Sequence, residues 1–203
     1  MKKFGNSNTI IILGDSPFLN TVENKVAYVL ERYLSIGINR VINRFPTTYQ
    51  ILTDVKIIPV ANKHLSIPTI SLYAHGDMIR KENKILIDTY TFDVKKDTEN
   101  DIVKDGKLAW CGFTHDYAIS YAIFRGWKNI VLIGAADFIQ GGHFSNEEKF
   151  NPSLKLQEDS KKFINNFCTK RANIFTCNPD SCLQIPYLDI DELLKFDWLK
   201  KLC

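Results

Sequence analysis

The 203-residue sequence has no apolar run approaching the roughly 18–20 residues that a membrane-spanning helix requires, so we predict no membrane span. It also has no dense run of lysine and arginine interleaved with aromatic residues, and its formal net charge is only +3. The missing basic run and the small net charge argue against a nucleic-acid partner, because binding to a phosphate backbone depends on a concentrated basic surface.

The 5 cysteines include no Cys-x-x-Cys pair, and no further metal-ligand types lie beside Cys177 and Cys182. We therefore predict reduced thiols and no metal site. The first apolar run, Ile10–Leu13, is too short for the core of a signal peptide, and Gly14 and Asp15 follow it at once. Together these features predict a cytoplasmic protein.

The turn after this first apolar run lacks the glycine patterns of two large nucleotide-binding classes. It has no Gly-x-Gly-x-x-Gly, which argues against a dinucleotide cofactor. It also has no Gly-Lys-Ser/Thr, which excludes a P-loop. We predict no cofactor for this chain.

The patterns that are present alternate between buried strands and amphipathic helices. Ile10–Leu13 is a short β-branched run typical of a strand covered on both faces, and residues 20–34 then carry apolar side chains at helical spacing. A strand pattern starts at Gly37, where a helix C-terminal glycine is expected, and runs over residues 37–45. This sequence of elements predicts a βαβ unit.

The same alternation returns in the second half of the chain. Thr114 is predicted to cap a helix that stops at Gly126, and the apolar run "NIVLIG" follows as a strand. Asn151 and Pro152 are predicted to start a further helix, whereas the polar residues 95–106 are predicted to form a loop. The whole pattern predicts an α/β, Rossmann-like fold, with a mainly parallel sheet and helices on both faces, formed as a single domain by residues 1–203.

Ligands of such sheets bind outside the carboxyl ends of the strands, so the turns after the strands are the candidate sites. Gly-Asp-Ser in the first turn is also the opening block of the GDS-type esterases, in which Ser16 would be the nucleophile. The chain has no Asp-x-x-His, however, and "TENDIV", the nearest match to the esterase Gly-x-Asn-Asp block, lacks the glycine. The competing hypothesis is a nucleotide site, since backbone N–H groups and the helix dipole attract a phosphate.

Several segments of the chain carry a resemblance to a known family. Bacterial sialyltransferases of glycosyltransferase family 42 contain, in this order, segments similar to "IIILGDSPFL", "RVINRF", "CGFTHDYAISYAIFRGWKNIVLIGAADF" and "CNPDSCLQIPYLD". The same segments resemble equally the glycosyltransferase-like domain of the motility accessory factors. The resemblance implies a nucleotide-sugar-dependent glycosyltransferase acting in surface glycan synthesis, with a CMP-sugar as one candidate donor. Its partners would be a nucleotide or nucleotide sugar, bound as substrate, and a glycan acceptor.

The resemblance also implies roles for individual residues. The first turn would hold the donor phosphate, Asn43 would contact the ribose or phosphate, and Asp137 would lie beside the base. The nucleotide-binding residues implied in this way are Gly14, Asp15, Ser16, Pro17, Asn43, Gly112, Phe113, Thr114, Gly134, Asp137, Phe138, Pro179 and Ser181.

Departures from the family pattern leave alternatives open. The family's catalytic histidine lies in a long lid insertion, whereas this chain has no histidine after His143. A general base would be His143, which follows a Gly-Gly turn, or His115, which lies at a helix start. Ile139 and Phe144 stand where the sialyltransferases have tyrosines that bind the leaving phosphate. The alternatives are a non-catalytic nucleotide-binding or assembly protein, and a homo-oligomer in which a neighbouring subunit completes the site.

Overall fold

The fold is built around one parallel sheet, seen in a computed structural model that describes residues 8–80, 82–97, 101–137 and 153–195. The strands of this sheet are β1 Thr9–Leu13, β2 Leu34–Ile38, β3 Tyr49–Ile51, β4 Thr69–Ser71, β5 Lys84–Leu86, β9 Asn129–Ile133 and β10 Asn173–Thr176. A smaller sheet contains β6 Thr89–Thr91, β7 Val103–Lys104 and β8 Lys107–Trp110. The order in the large sheet is β10-β9-β1-β2-β3-β4-β5, and every neighbouring pair is parallel.

Helices cover both faces of the large sheet, which confirms the predicted fold class. The described helices are α1 Leu19–Arg32, α2 Ile58–Lys63, α3 Thr114–Phe124, α4 Leu154–Lys162 and α5 Ile190–Leu194. Ile10 and Ile12 of β1 belong to the core cluster that contains α3 and the turn after α4. Ile11 and Leu13 point to the other face and pack against α1 and α5. The alternation follows from the period of two along a strand.

The second strand begins earlier than its sequence pattern indicated. The structure places β2 at Leu34–Ile38 and turns Asn39–Asn43 into a 3₁₀ helix, so the strand predicted over residues 37–45 was wrong in most of its length. Gly37 lies inside β2 and ends no helix. A Cβ on Gly37 would lie 2.7 Å from the Thr47 hydroxyl, so the close approach of Thr47 explains the glycine.

Three further boundaries differ from expectation. Thr114 was predicted to cap α3, but it is the first residue of that helix and Phe113 occupies the cap position. Ser153 caps α4, and its hydroxyl accepts a hydrogen bond from the Leu156 N–H at 3.3 Å, whereas the predicted start at Asn151 and Pro152 lies outside the described residues. Part of the predicted 95–106 loop is a hairpin, because β7 pairs antiparallel with β8.

The topology places one crevice at the carboxyl edge of the large sheet. From β1 the chain proceeds through β2 to β5 on one side and returns to β9 and β10 on the other. Open α/β sheets bind ligands at such a change of direction. We give the name switch-point crevice to the surface formed at this edge by the loops of residues 14–18, 134–137 and 177–182. None of the described helices is long and apolar enough to cross a membrane.

Candidate functional site

Two glycines bring the loops of the switch-point crevice into direct contact. The Gly14 N–H donates to the Ile133 carbonyl at 3.0 Å, and the Ser16 N–H donates to the Gly134 carbonyl at 3.1 Å. A Cβ on Gly14 would lie 2.2 Å from the Gly134 carbonyl oxygen. Gly134 has a φ of +61°, and a Cβ there would lie 2.8 Å from Leu19. Both predicted site glycines are therefore required by the backbone geometry of the crevice.

The first turn of α1 uses its own N–H groups internally. The N–H groups of Leu19, Asn20 and Thr21 donate to the carbonyls of Ser16, Pro17 and Phe18, at 3.1, 3.0 and 3.0 Å. No acidic residue lies in this first turn, so its dipole still favours an anion. The turn thus contributes electrostatic attraction through the helix end rather than through these three N–H groups.

Asp137 places a buried carboxyl group in the crevice. The side chain is 3% exposed, and its Oδ2 accepts a hydrogen bond from the Ser16 hydroxyl. Its Oδ1 has no hydrogen-bond partner within the described part of the chain. Burial raises the pKa of this carboxyl group above its usual range, while Ser16 and Asn178 act in the opposite direction.

Asn178, which sequence reasoning missed, faces this carboxyl group from the loop after β10. Its residue exposure is 2%, its Oδ1 accepts a hydrogen bond from the Asp180 N–H at 3.0 Å, and its N–H donates to Thr176 at 3.1 Å. Its Nδ2 has no partner among the described residues. It lies near enough to Asp137 to favour the ionised carboxylate, but the two side chains do not complete a hydrogen bond. The crevice therefore contains one unpaired buried acceptor and one unpaired buried donor.

Pro179 and Ser181, the site residues predicted after β10, lie in the same loop as Asn178. Pro179 is exposed, and the Ser181 hydroxyl accepts a hydrogen bond from the Leu183 N–H at 3.3 Å. The Cys182 thiol lies 3.6 Å from the main-chain carbonyl of Asp137. This contact brings the loop after β10 next to the loop after β9.

The structure distinguishes two asparagines that follow β2. Asn43 is exposed, and its Oδ1 lies 3.0 Å from the Nε2 of His64. Asn39 directly follows the strand with a φ of +54°, and its buried Oδ1 has no partner among the described residues. The Gln50 side chain donates to the Asn39 carbonyl at 3.1 Å, and its own Oε1 is also buried and unpaired in the described ranges. Asn39 could have been found from the sequence, because it directly follows the apolar residues of β2.

The predicted residues 112–114 lie over the end of β3. Gly112 has a φ of +119°, and a Cβ there would lie 2.5 Å from Leu156. Phe113 is buried, and the Thr114 hydroxyl lies 2.8 Å from the hydroxyl of Thr53, which follows β3. The start of α3 therefore meets the carboxyl edge of the sheet two strands away from β1.

His115, one of the two predicted bases, belongs to a buried polar cluster between α3 and α4. Its Nε2 lies 3.2 Å from the Ser160 hydroxyl and 3.5 Å from Asp116 Oδ1. Ser160 donates to Asp116 Oδ1 at 2.5 Å, and the Phe113 N–H donates to Asp116 Oδ2 at 3.1 Å. Burial lowers the pKa of His115 to about 3 and raises the pKa of Asp116 to about 7. The imidazole is therefore neutral. The other predicted base, His143, and the predicted site residue Phe138 lie outside the described residues.

This cluster predicts opposite pH dependences for two variants. Between pH 3.8 and about 7, folding adds a proton to Asp116, so the free energy of unfolding falls as pH rises. Between about pH 3 and 6.5, folding removes a proton from His115, so the free energy of unfolding rises with pH. We expect Asp116→Asn to make the slope of the free energy of unfolding against pH more positive. We expect His115→Asn to make this slope more negative, and each change amounts to at most about 1.4 kcal/mol per pH unit. Urea denaturation from pH 4 to 7 measures both slopes, and two shifts of the same sign would contradict the assignment.

The esterase hypothesis finds no histidine base for Ser16 among the described residues. The Ser16 hydroxyl donates to the Asp137 carboxyl group. The described histidines contact other partners, which are Asn43 for His64, Ser71 for His75 and Ser160 for His115. Ser16 thus donates to a buried carboxyl group and to no described imidazole, so the serine–histidine pair of the esterases is not formed among the described residues.

Comparison with known proteins supports the fold. No protein-family model matches the chain, and no curated protein matches it in sequence. Among solved structures, it is similar to the MAf glycosyltransferase from Magnetospirillum magneticum AMB-1, with a TM-score of 0.67 and 12% identity. The chain has a glycosyltransferase-like fold. The match covers 97% of this chain and 36% of that protein, so the chain spans about a third of its length.

Proposed function

We propose that this chain is a nucleotide-sugar-dependent glycosyltransferase whose donor nucleotide lies in the switch-point crevice. The observation that carries the proposal is the pair of buried, unpaired polar atoms there, Asp137 Oδ1 and Asn178 Nδ2. Leaving such an atom without a partner costs about 1–3 kcal/mol, so a ligand that pairs both gains that free energy back. A ribose hydroxyl or the edge of a nucleobase supplies both a donor and an acceptor.

The rest of the donor extends along the carboxyl edge of the sheet, away from β9. Asn39 after β2, Thr53 after β3 and Thr114 at the start of α3 provide polar groups in that direction. The phosphate lies between these groups and the N-terminal end of α1, whose first turn contains no acidic residue. Such preorganised dipoles stabilise the charge that develops on the departing nucleotide.

In the transfer step, the acceptor hydroxyl oxygen forms a bond to the anomeric carbon while the bond from that carbon to the phosphate oxygen breaks. The phosphate oxygen keeps the electron pair, and a general base takes the hydroxyl proton. His115 is neutral but held in its buried cluster, and His143 remains a candidate for this base. A chain that binds the nucleotide without turnover would instead be the non-catalytic binding protein.

Thermal unfolding with CMP, UMP, AMP, GMP, CMP-N-acetylneuraminic acid and UDP-N-acetylglucosamine tests nucleotide binding. A ligand at 100 times its Kd stabilises the folded chain by about 2.7 kcal/mol. We expect at least one nucleotide to raise the unfolding temperature more than the others do. An equal rise with all of them, or no rise with any, would contradict a specific site.

The two asparagines after β2 form a matched pair of variants. Asn39→Gly deletes the amide while glycine tolerates the positive φ, and we expect about tenfold weaker nucleotide binding. Asn43→Ala removes an exposed amide that contacts His64, and we expect unchanged binding. Titration of the nucleotide by calorimetry measures both. The reverse result would restore Asn43 to the role that the family resemblance implies.

A further inference from the structure

The described cysteines differ in their exposure to solvent. Cys111, Cys168 and Cys177 are free thiols with residue exposures of 7%, 0% and 1%. Burial raises the pKa of each of these thiols, to about 12 for Cys177, because an apolar environment disfavours the thiolate. Cys182 is a free thiol at an exposed position. Because the thiolate is the nucleophile and must meet its reagent, Cys182 is the described cysteine that a reagent in solution reaches.

Cys182 lies on the wall of the switch-point crevice. Its thiol donates a hydrogen bond to the main-chain carbonyl of Asp137 at 3.6 Å. The side chain of the same aspartate is 3% exposed and carries the unpaired Oδ1. Asn178, in the same loop as Cys182, is 2% exposed and carries the unpaired Nδ2. The exposed thiol therefore lies beside the two buried polar atoms that lack a partner among the described residues.

Short-range hydrogen bonds connect Cys182 to Asn178 along this loop. The Asp180 N–H donates to Asn178 Oδ1 at 3.0 Å, and the Ser181 N–H donates to the Asn178 carbonyl at 3.2 Å. A sulfur in a disulfide has no S–H, so a disulfide at Cys182 removes the hydrogen bond to the Asp137 carbonyl. The added atoms then lie next to Asp137, and a displacement of Cys182 also moves the part of the loop that holds the Asn178 amide.

We propose that Cys182 is a modification site at which a low-molecular-weight disulfide closes the crevice to nucleotides. The effect on nucleotides rests on the proposed function. The Cys182 thiolate attacks one sulfur of the reagent, a bond forms between these two sulfurs, and the S–S bond of the reagent breaks. The released thiolate takes up the proton that Cys182 has lost. The Cys182 sulfur is thus oxidised and the released half of the reagent is reduced, and excess free thiol reverses the exchange.

Oxidised glutathione is the probe that suits this site. It attaches a tripeptide whose carboxylate groups give it a negative net charge. The bulk of the adduct occupies the space beside Asp137 and Asn178, and its charge repels a nucleotide phosphate. Size and charge therefore act in the same direction, against nucleotide binding.

Mass spectrometric mapping of peptides after treatment with oxidised glutathione tests the site itself. We expect Cys182 to react about tenfold faster, or more, than the buried Cys111, Cys168 and Cys177. A saturating nucleotide is expected to slow the reaction of Cys182 by about tenfold or more, because few chains then have an open crevice. Equal rates at these cysteines overturn the assignment, and so does a rate at Cys182 that bound nucleotide leaves unchanged.

Calorimetric titration with the best nucleotide of the panel tests the effect on binding. We expect the glutathione adduct to weaken binding by about tenfold or more, and dithiothreitol to restore it. Cys182→Ser forms no disulfide, so its affinity is expected to be the same with and without oxidised glutathione. Thermal unfolding shows whether the modified chain is folded. Should the adduct unfold the chain, Cys182→Glu adds a larger acidic side chain without disulfide chemistry, and we expect weaker binding there too.

The outcomes separate this inference from the proposed function. Unchanged nucleotide affinity in the folded adduct, or in Cys182→Glu, overturns the closing of the crevice. A loss of affinity that oxidised glutathione also causes in Cys182→Ser overturns it as well, because the reagent then acts elsewhere. Failure of the unmodified chain to bind any nucleotide of the panel refutes the proposed function, whereas selective reaction of Cys182 in that case still supports the modification site.

Discussion

Asp137→Asn is expected to stabilise the folded chain at neutral pH while weakening nucleotide binding by about 10- to 100-fold. The carboxyl group is 3% exposed and its pKa is raised by burial, so its ionised form is less favourable in the folded chain than in the unfolded chain. The free energy of unfolding therefore falls as pH rises above the ordinary carboxyl pKa of 3.8, and a neutral amide removes this loss. The binding loss follows because hydrogen bonds to a charged group contribute about 1.5–3 kcal/mol.

The control for this variant is Asp180→Asn, which makes the same charge change at an exposed position of the loop after β10. We expect it to leave both stability and binding unchanged. Urea denaturation at pH 5 and pH 8 measures the stability difference, and calorimetric titration with the best nucleotide measures affinity. Full binding by Asp137→Asn would show that the ligand is held elsewhere, and the proposed location of the nucleotide would be wrong.

Gly14→Ala is expected to lower the free energy of unfolding by about 3 kcal/mol or more and to abolish nucleotide binding. The added Cβ would lie 2.2 Å from the Gly134 carbonyl oxygen and 2.7 Å from the Ala135 Cα, and both are backbone atoms. The loops of the switch-point crevice must then move apart. Such a movement separates Ser16 from Asp137, whose hydrogen bond joins the two loops.

Gly126→Ala is the matched control for this substitution. Gly126 has a φ of +83° and open space where a Cβ would lie, so we expect only the backbone cost of about 1–2 kcal/mol. Urea denaturation compares the two variants directly. An equal or smaller loss for Gly14→Ala would mean that the loops adapt easily, and that their close contact does not define the crevice.

Local pattern predicted the elements whose boundaries depend on nearby residues. The β-branched run of β1, the apolar run of β9 and the helix stop at Gly126 all appear where their sequences indicated. The predicted bounds of the second strand were wrong because distant contacts decide where this strand starts. Tyr33 ends α1 in an extended conformation, and its hydroxyl donates to the Leu193 carbonyl, 160 residues away in sequence. No local pattern contains that contact.

The sequence by itself determined the α/β alternation, and it named Ser16, Asp137 and the glycines after β1 and β9 as candidates for the site. Only the tertiary structure decided that Ser16 and Asp137 meet, because they are 121 residues apart and their hydrogen bond depends on β1 and β9 being neighbours. The same holds for Asn178 and for the choice between Asn39 and Asn43. Burial and hydrogen-bond partners are set by the packing of distant segments, and these determine which polar side chains remain available to a ligand.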